Sequence, residues 1–163
     1  MQTAYTDPSA SVIGGKFNNA PQDIITGNSA TAVPVGRFVT KDGTTYNDRV
    51  KLPAASADIT DLSLARGFAG KAPGAESDPV TTVPTHSAYD AFPIVKKGPL
   101  WVRTEQNVTP ADPVFIRFTA NGTGKDVGQV RKDADTDKAV QATYCRFLQS
   151  GSADGLVPVD VNL

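Results

Sequence analysis

Residues 92–118 read F-P-I-V-K-K-G-P-L-W-V-R-T-E-Q-N-V-T-P-A-D-P-V-F-I-R-F. The reading of this stretch decides the fold. Ile94 and Val95 lead into Lys96-Lys97-Gly98-Pro99, after which Leu100-Trp101-Val102 resumes a strand. Thr109-Pro110-Ala111-Asp112-Pro113 is turn chemistry, because proline presets φ and an aspartate can bond its own backbone. Beyond it Val114, Ile116 and Phe118 alternate with Phe115, Arg117 and Thr119, the period of two that marks a strand with one face buried. Trp101 is the only tryptophan of the chain. With its large apolar area it is expected in the core beside Val102, Val114, Ile116 and Phe118.

The same pattern extends outward in both directions. Residues 32–39 and 50–53 read as strands, and Asp42-Gly43 between them is a hairpin signal, because such turns need φ > 0. Asn121-Gly122 repeats that signal after the central stretch. Short strands follow at 127–130, 139–148 and 156–161. On 139–148 the alternation puts Arg146 on the same side as Val140, Ala142 and Tyr144, so neither face reads as cleanly dry. Residues 54–66 are the best helix candidate, short and with Ser56 as N-cap, although Ile59 stands where a capping box needs Glu or Gln, so that a loop is the alternative.

With 163 residues, 14 Gly and 12 Pro, the chain has the composition of a β-protein rich in turns and the length to bury its own core. The expected fold is all-β: a compact antiparallel β-barrel or β-sandwich with an extended N-terminal arm and at most one short helix. Residues 1–30 form the arm, polar but for Val12, Ile13, Phe17, Ile24 and Ile25, and residues 31–163 form a single β-rich domain. Residues 71–88 are a proline-rich connector that carries His86.

A net charge of −1 without a basic tract argues against nucleic-acid binding. A single cysteine, Cys145, excludes an internal disulfide and reads as a small buried residue rather than a reactive thiol. No signal peptide and no membrane span is expected, which points to a protein made in the cytoplasm.

The motifs that carry chemistry are incomplete. Asp133-x-Asp135-x-Asp137 begins like a calcium loop, but Lys138 stands where Gly is needed and Tyr144 where the bidentate Glu should be. A solvated acidic turn is the better reading. Gly122-Thr123-Gly124-Lys125 lacks phosphate-loop spacing. His86 is the only histidine, without the partners of a zinc site or a catalytic triad. No catalytic residue, metal ligand or cofactor is expected, and the chain does not read as an enzyme.

Gly98, Trp101, Val102, Val108, Thr109, Asp112, Pro113 and Val114 together form a G-x-x-W-V…V-T-x-x-D-P-V pattern. It resembles the bacteriophage structural cement proteins, small β-rich proteins that decorate assembled heads. Ala111 stands where many such sequences have Gly. The likeness continues more loosely through Gly128-Gln129-Val130, Ala142–Phe147 and Val157-Pro158-Val159. It implies a capsid decoration protein of a tailed phage, bound to the outer surface of the expanded head at junctions between major capsid protein subunits. It further implies a homo-oligomer, a trimer in preference to a dimer, assembled in the host cytoplasm, with no nucleic acid or membrane as partner. The contact residues expected on this reading are Ile13, Phe17, Ile24 and Ile25 of the arm and His86 of the connector. The alternative is a carbohydrate- or receptor-binding β-sandwich module of a virion appendage. That reading predicts clustered exposed aromatics, whereas Tyr5, Tyr46, Tyr89 and Tyr144 are widely spaced.

Overall fold

A computed structural model describes residues 13–17, 20–43, 48–72 and 83–163. Its elements in chain order are β1 (Asp23–Gly27), β2 (Val33–Pro34), β3 (Phe38–Lys41), β4 (Val50–Lys51), α1 (Ala57–Thr60), β5 (Ala65–Ala69), β6 (Thr85–His86), β7 (Phe92–Arg103), β8 (Pro113–Arg117), β9 (Val130–Arg131), β10 (Ala139–Phe147) and β11 (Leu156–Asn162). Nine of these strands form one antiparallel sheet, ordered β4-β3-β5-β7-β11-β10-β8-β9 with β1 added to β7. The sheet curls into a half-barrel. The all-β reading holds, with a single short helix.

The stretch that opened the sequence reading is the hub. Strand β7 serves three partners: β5 and β1 along its first half, and β11 from Lys97 to Arg103. The strand does not break at Lys96–Pro99. Gly98 adopts φ +99 and takes the bend inside the strand, and the Pro21 carbonyl lies against the space a Cβ would fill there, an approach only glycine allows. The following turn is locked by Asp112, whose carboxylate accepts the Thr109 N–H at 2.7 Å and the Thr109 hydroxyl at 3.0 Å. With that lock, position 111 has no positive φ, so Ala111 fits the turn without a glycine.

The main core joins Phe38, Phe68, Leu100, Val102, Val114, Ile116, Phe147, Val157 and Val159. Val39, Ala69 and Ile94, neighbours of these residues on the opposite face, build a second cluster with Val33, Val50 and Phe92. Strands β3, β5 and the first half of β7 are therefore buried on both faces. The second face is covered by the small β2–β6 ribbon, in which Val33 pairs with His86. Burying each phenylalanine in such a core is worth about 1.5–3 kcal/mol.

Two sequence readings find their physical reason here. The short helix read in 54–66 is one turn, because side-chain carboxylates capture its backbone. Asp58 accepts the N–H groups of Ala54 and Ala55, and Asp61 accepts that of Ser63; Asp61 itself is already extended. Such local bonds compete with helix propagation. Ser56 occupies the N-cap position without a side-chain capping bond. The mixed faces of 139–148 come from a bulge: β10 pairs with β8 at Gln141 and again at Arg146 with a register shift between. The bulge reverses the parity of the strand, so that Ala142 and Phe147 both point inward.

Candidate interaction surface

The arm does not leave the sheet at once. The Gly14 N–H donates to the Trp101 carbonyl at 2.7 Å, and the Trp101 N–H donates to the Gly15 carbonyl at 3.1 Å. Ile13 is buried at 2% exposure. Phe17 packs edge-on against the Trp101 ring, with centroids 5.5 Å apart. Trp101 is thus half-buried under the arm and not in the core that the sequence suggested, because Leu100 and Val102 on either side of it already point inward. Phe118 is likewise only half-buried, while Val102, Val114 and Ile116 are core.

Residues 23–27, read from the sequence as part of the arm, lie along β7 as β1. Ile25 turns in against the second cluster, and Ile24 turns out, 46% exposed. Ile24 lines an open groove of about 480 Å³ between Gly14–Lys16, Gly70–Ala72 and Pro93/Val95, with Lys16 and Lys71 among its lining residues. His86 braces this groove from behind. Its ring stacks on Phe92 at 4.5 Å, and its Nε2 donates to the Gly70 carbonyl at 2.8 Å. Of the five anticipated residues, only Ile24 presents a large apolar surface to solvent and lines the groove.

Two further apolar anchors stand out from the surface. Leu62 is 65% exposed beside α1, and Tyr89 is 68% exposed. Tyr89 has φ +66, a left-handed conformation unusual for a bulky side chain. Its N–H donates to the Ser29 carbonyl at 2.7 Å, which holds the turn in place. The Arg49 guanidinium lies 5.9 Å from the Tyr89 ring centroid. The two residues, with Asn28 and Asp48, line a hollow of about 370 Å³. Sequence reasoning missed this site, because neither a positive φ nor exposure is written in a single tyrosine.

Three arginines, Arg37, Arg117 and Arg131, are buried. Arg117, assigned by alternation to the wet face of β8, is fully buried. Its Nε and Nη2 donate to the two oxygens of Glu105 at 2.6 and 2.7 Å. Arg131 reaches Glu105 at 2.9 Å and Asp135 at 2.9 Å, and it also pairs with Asp133. The acidic turn is therefore not simply solvated. Asp135, Thr136 and Asp137 adopt φ values of 45°, 54° and 62°, and this left-handed run brings the Asp135 carboxylate onto Arg117 and Asn121. Hydrogen bonds from Arg117 and Asn121 hold Asp135 well below the usual carboxylate range. Asp133 is lowered chiefly by its bond from Gln106. Burial pushes the Cys145 thiol and the Tyr144 phenol far up, and the Tyr144 hydroxyl donates to the Ile59 carbonyl at 2.9 Å. Among the described residues no group of three or more His, Cys, Asp or Glu side chains is placed to hold a metal.

The curled sheet buries one charge cluster around Glu105 and leaves Ile24, Leu62 and Tyr89 as its exposed large apolar side chains among the described residues. Residues 1–162 match the structural cement protein family (E217 gp24/Pam3 gp6). The chain belongs to that family, and its role is that of a capsid cement or decoration protein of a bacteriophage virion. Among solved structures it is similar to a chain of the capsid of Myoviridae phage XM1, with 17% identity, a TM-score of 0.64, and coverage of 92% of this chain and 89% of that one. That likeness supports the fold. A weaker one, at 11% identity and a TM-score of 0.42 over 87% of this chain and 95% of that one, is to the head fiber gp8.5 N base of bacteriophage phi29. No curated protein matches.

Proposed function

We propose that this cement protein sits on the outer surface of the expanded head, over junctions between major capsid protein subunits, and makes its contact through the groove beside Ile24. The supporting observation is that groove: about 480 Å³, floored by Pro93 and Val95, with one half-exposed isoleucine and two lysines around it. An isolated exposed apolar residue is ordinary, but one set in a preformed groove on a rigid strand is the anatomy of an interface anchor. Lys16 and Lys71 favour acidic side chains on the capsid partner. Ile13 and Phe17 hold residues 13–17 against β7, Ile25 packs β1 onto the second cluster, and His86 supports the Gly70 side of the groove.

Binding to the assembled lattice and not to the free subunit stabilises the shell by mass action. Many copies on one lattice give avidity to modest contacts. Closed symmetry favours a homo-oligomer, a trimer at threefold positions in preference to a dimer, assembled in the host cytoplasm.

The test is co-sedimentation of the purified protein with expanded heads that lack it, followed by cryo-electron microscopy. Regular density on the outer shell at symmetry positions is expected, and it reads out the oligomer directly. Ile24→Asp leaves thermal unfolding unchanged and removes most of the bound protein; full occupancy by this folded variant would refute the groove as the contact.

A further inference from the structure

Asn121 is the neutral neighbour of the Glu105 charge cluster, and its half-buried side-chain amide is held at both ends. Lys138 Nζ donates to its Oδ1 at 2.7 Å, and its Nδ2 donates to Asp135 at 2.9 Å. Asp135 in turn is paired with Arg117 and Arg131. The Asn121 N–H donates to the Lys125 carbonyl at 3.0 Å. The next residue is Gly122, and this is the only Asn-Gly pair of the chain. Gly122 is exposed with φ +81, and no described atom lies within 4 Å of the place where a Cβ would stand. A glycine has no side chain to screen its own peptide nitrogen.

We propose that Asn121 is a deamidation site, and that the clamp of Lys138 and Asp135 sets its rate in the folded protein. The reaction needs only water. Hydroxide removes the Gly122 amide proton, and the nitrogen attacks Asn121 Cγ. A new C–N bond forms, and the bond from Cγ to Nδ2 breaks with loss of ammonia. Water then opens the cyclic imide at either carbonyl and leaves an aspartate or an isoaspartate at position 121. The ring closes only when Cγ swings over the Gly122 nitrogen, and that rotation breaks both side-chain bonds of the clamp. Each of them joins the amide to a charged group, the stronger class of hydrogen bond. The product also undoes its setting. A carboxylate at position 121 has no proton to give Asp135 and repels it, so one hold on the left-handed run 135–137 is lost. An isoaspartate adds a methylene to the backbone beside the bond to Lys125. A virion makes no new protein, so the change accumulates with the age of the particle.

The experiment incubates the full chain at mildly alkaline pH and follows residue 121 by peptide mapping with isoaspartate detection. The guanidinium-unfolded chain is expected to convert at the intrinsic Asn-Gly rate, and the folded wild type roughly tenfold more slowly or slower still. Lys138→Met is expected to speed conversion of the folded protein by about 10- to 100-fold, the scale of one hydrogen bond to a charged group. Lys138→Arg keeps a charged donor and restores the slow rate. Circular dichroism shows which variants are folded; where the methionine variant is not, the comparison of folded with unfolded wild type carries the test by itself. Equal rates in folded and unfolded wild type, equal rates in wild type and folded Lys138→Met, or conversion at other asparagines and none at 121 would overturn the proposal.

Discussion

Glu105→Gln is the most exacting test of how this sheet is held together. The Glu105 side chain is 1% exposed and receives three charge-assisted bonds, two from Arg117 and one from Arg131. The glutamine has nearly the same shape, so no cavity opens. It replaces one acceptor oxygen with an NH2 group aimed at a guanidinium and leaves two buried cations short of one counter-charge. Breaking a buried pair by neutralising one partner costs about 3–5 kcal/mol. For a domain of this size, ~2–4 °C of Tm is lost per kcal/mol, which gives a drop of roughly 6–20 °C. Thermal and urea unfolding followed by circular dichroism read it out, with an unchanged urea m-value showing that the native fold is retained. A loss below about 1 kcal/mol for Glu105→Gln, the range of an exposed ion pair, would refute the account of the cluster as buried and mutually dependent.

Acid should destabilise the protein through the neighbouring aspartates. The folded pKa values of Asp135 and Asp133 lie below their unfolded value, so their contribution is complete above pH ~5 and fades as pH falls through about 3.9 toward the folded values. Melting curves between pH 7 and 2 should show this fall, and Asp135→Asn should flatten it; equal slopes in the two proteins would remove Asp135 from the explanation. Phe17→Ala should cost about 1 kcal/mol, the scale of an edge-on aromatic pair, and shift Trp101 fluorescence to the red as the indole becomes wetter; an unmoved emission maximum would mean that the arm root does not cover Trp101. Tyr89→Gly should leave stability within about 1 kcal/mol, because relief of the left-handed strain offsets the lost cation–π contact. If Tyr89 is a second anchor, the variant's occupancy on expanded heads should fall; full occupancy would reduce Tyr89 to a surface residue.

The reach of the sequence can be judged element by element. Strands β7 and β8 were legible because alternation and turn chemistry are local: proline presets φ, Asp112 caps its own turn, and period-two side chains need a strand to share a face. The same locality explains the errors. Alternation assigned Arg117 to water, since nothing within 92–118 says that Arg131 and Asp135 will close over it around Glu105. Trp101 looked like core because of its size, yet parity gave the inward positions to Leu100 and Val102 and left the indole for Phe17 to cover. Of the anticipated contact residues, hydrophobicity in a polar arm was the sole signal, and it did not separate Ile24, which turns out, from Ile25, which turns in. Tyr89 and Arg37 carried no signal at all.

The residues alone, read in order, carry the class: short β-strands joined by Gly, Pro and Asp turns, which follow from backbone preferences that each residue brings with it. The G-x-x-W-V…V-T-x-x-D-P-V pattern carries the family by resemblance. Folding alone settles which charges are buried together and which apolar side chains remain outside. Those properties depend on pairs such as Arg117 with Glu105, or Phe17 with Trp101, separated by 12 residues in the first case and brought together only when the sheet curls.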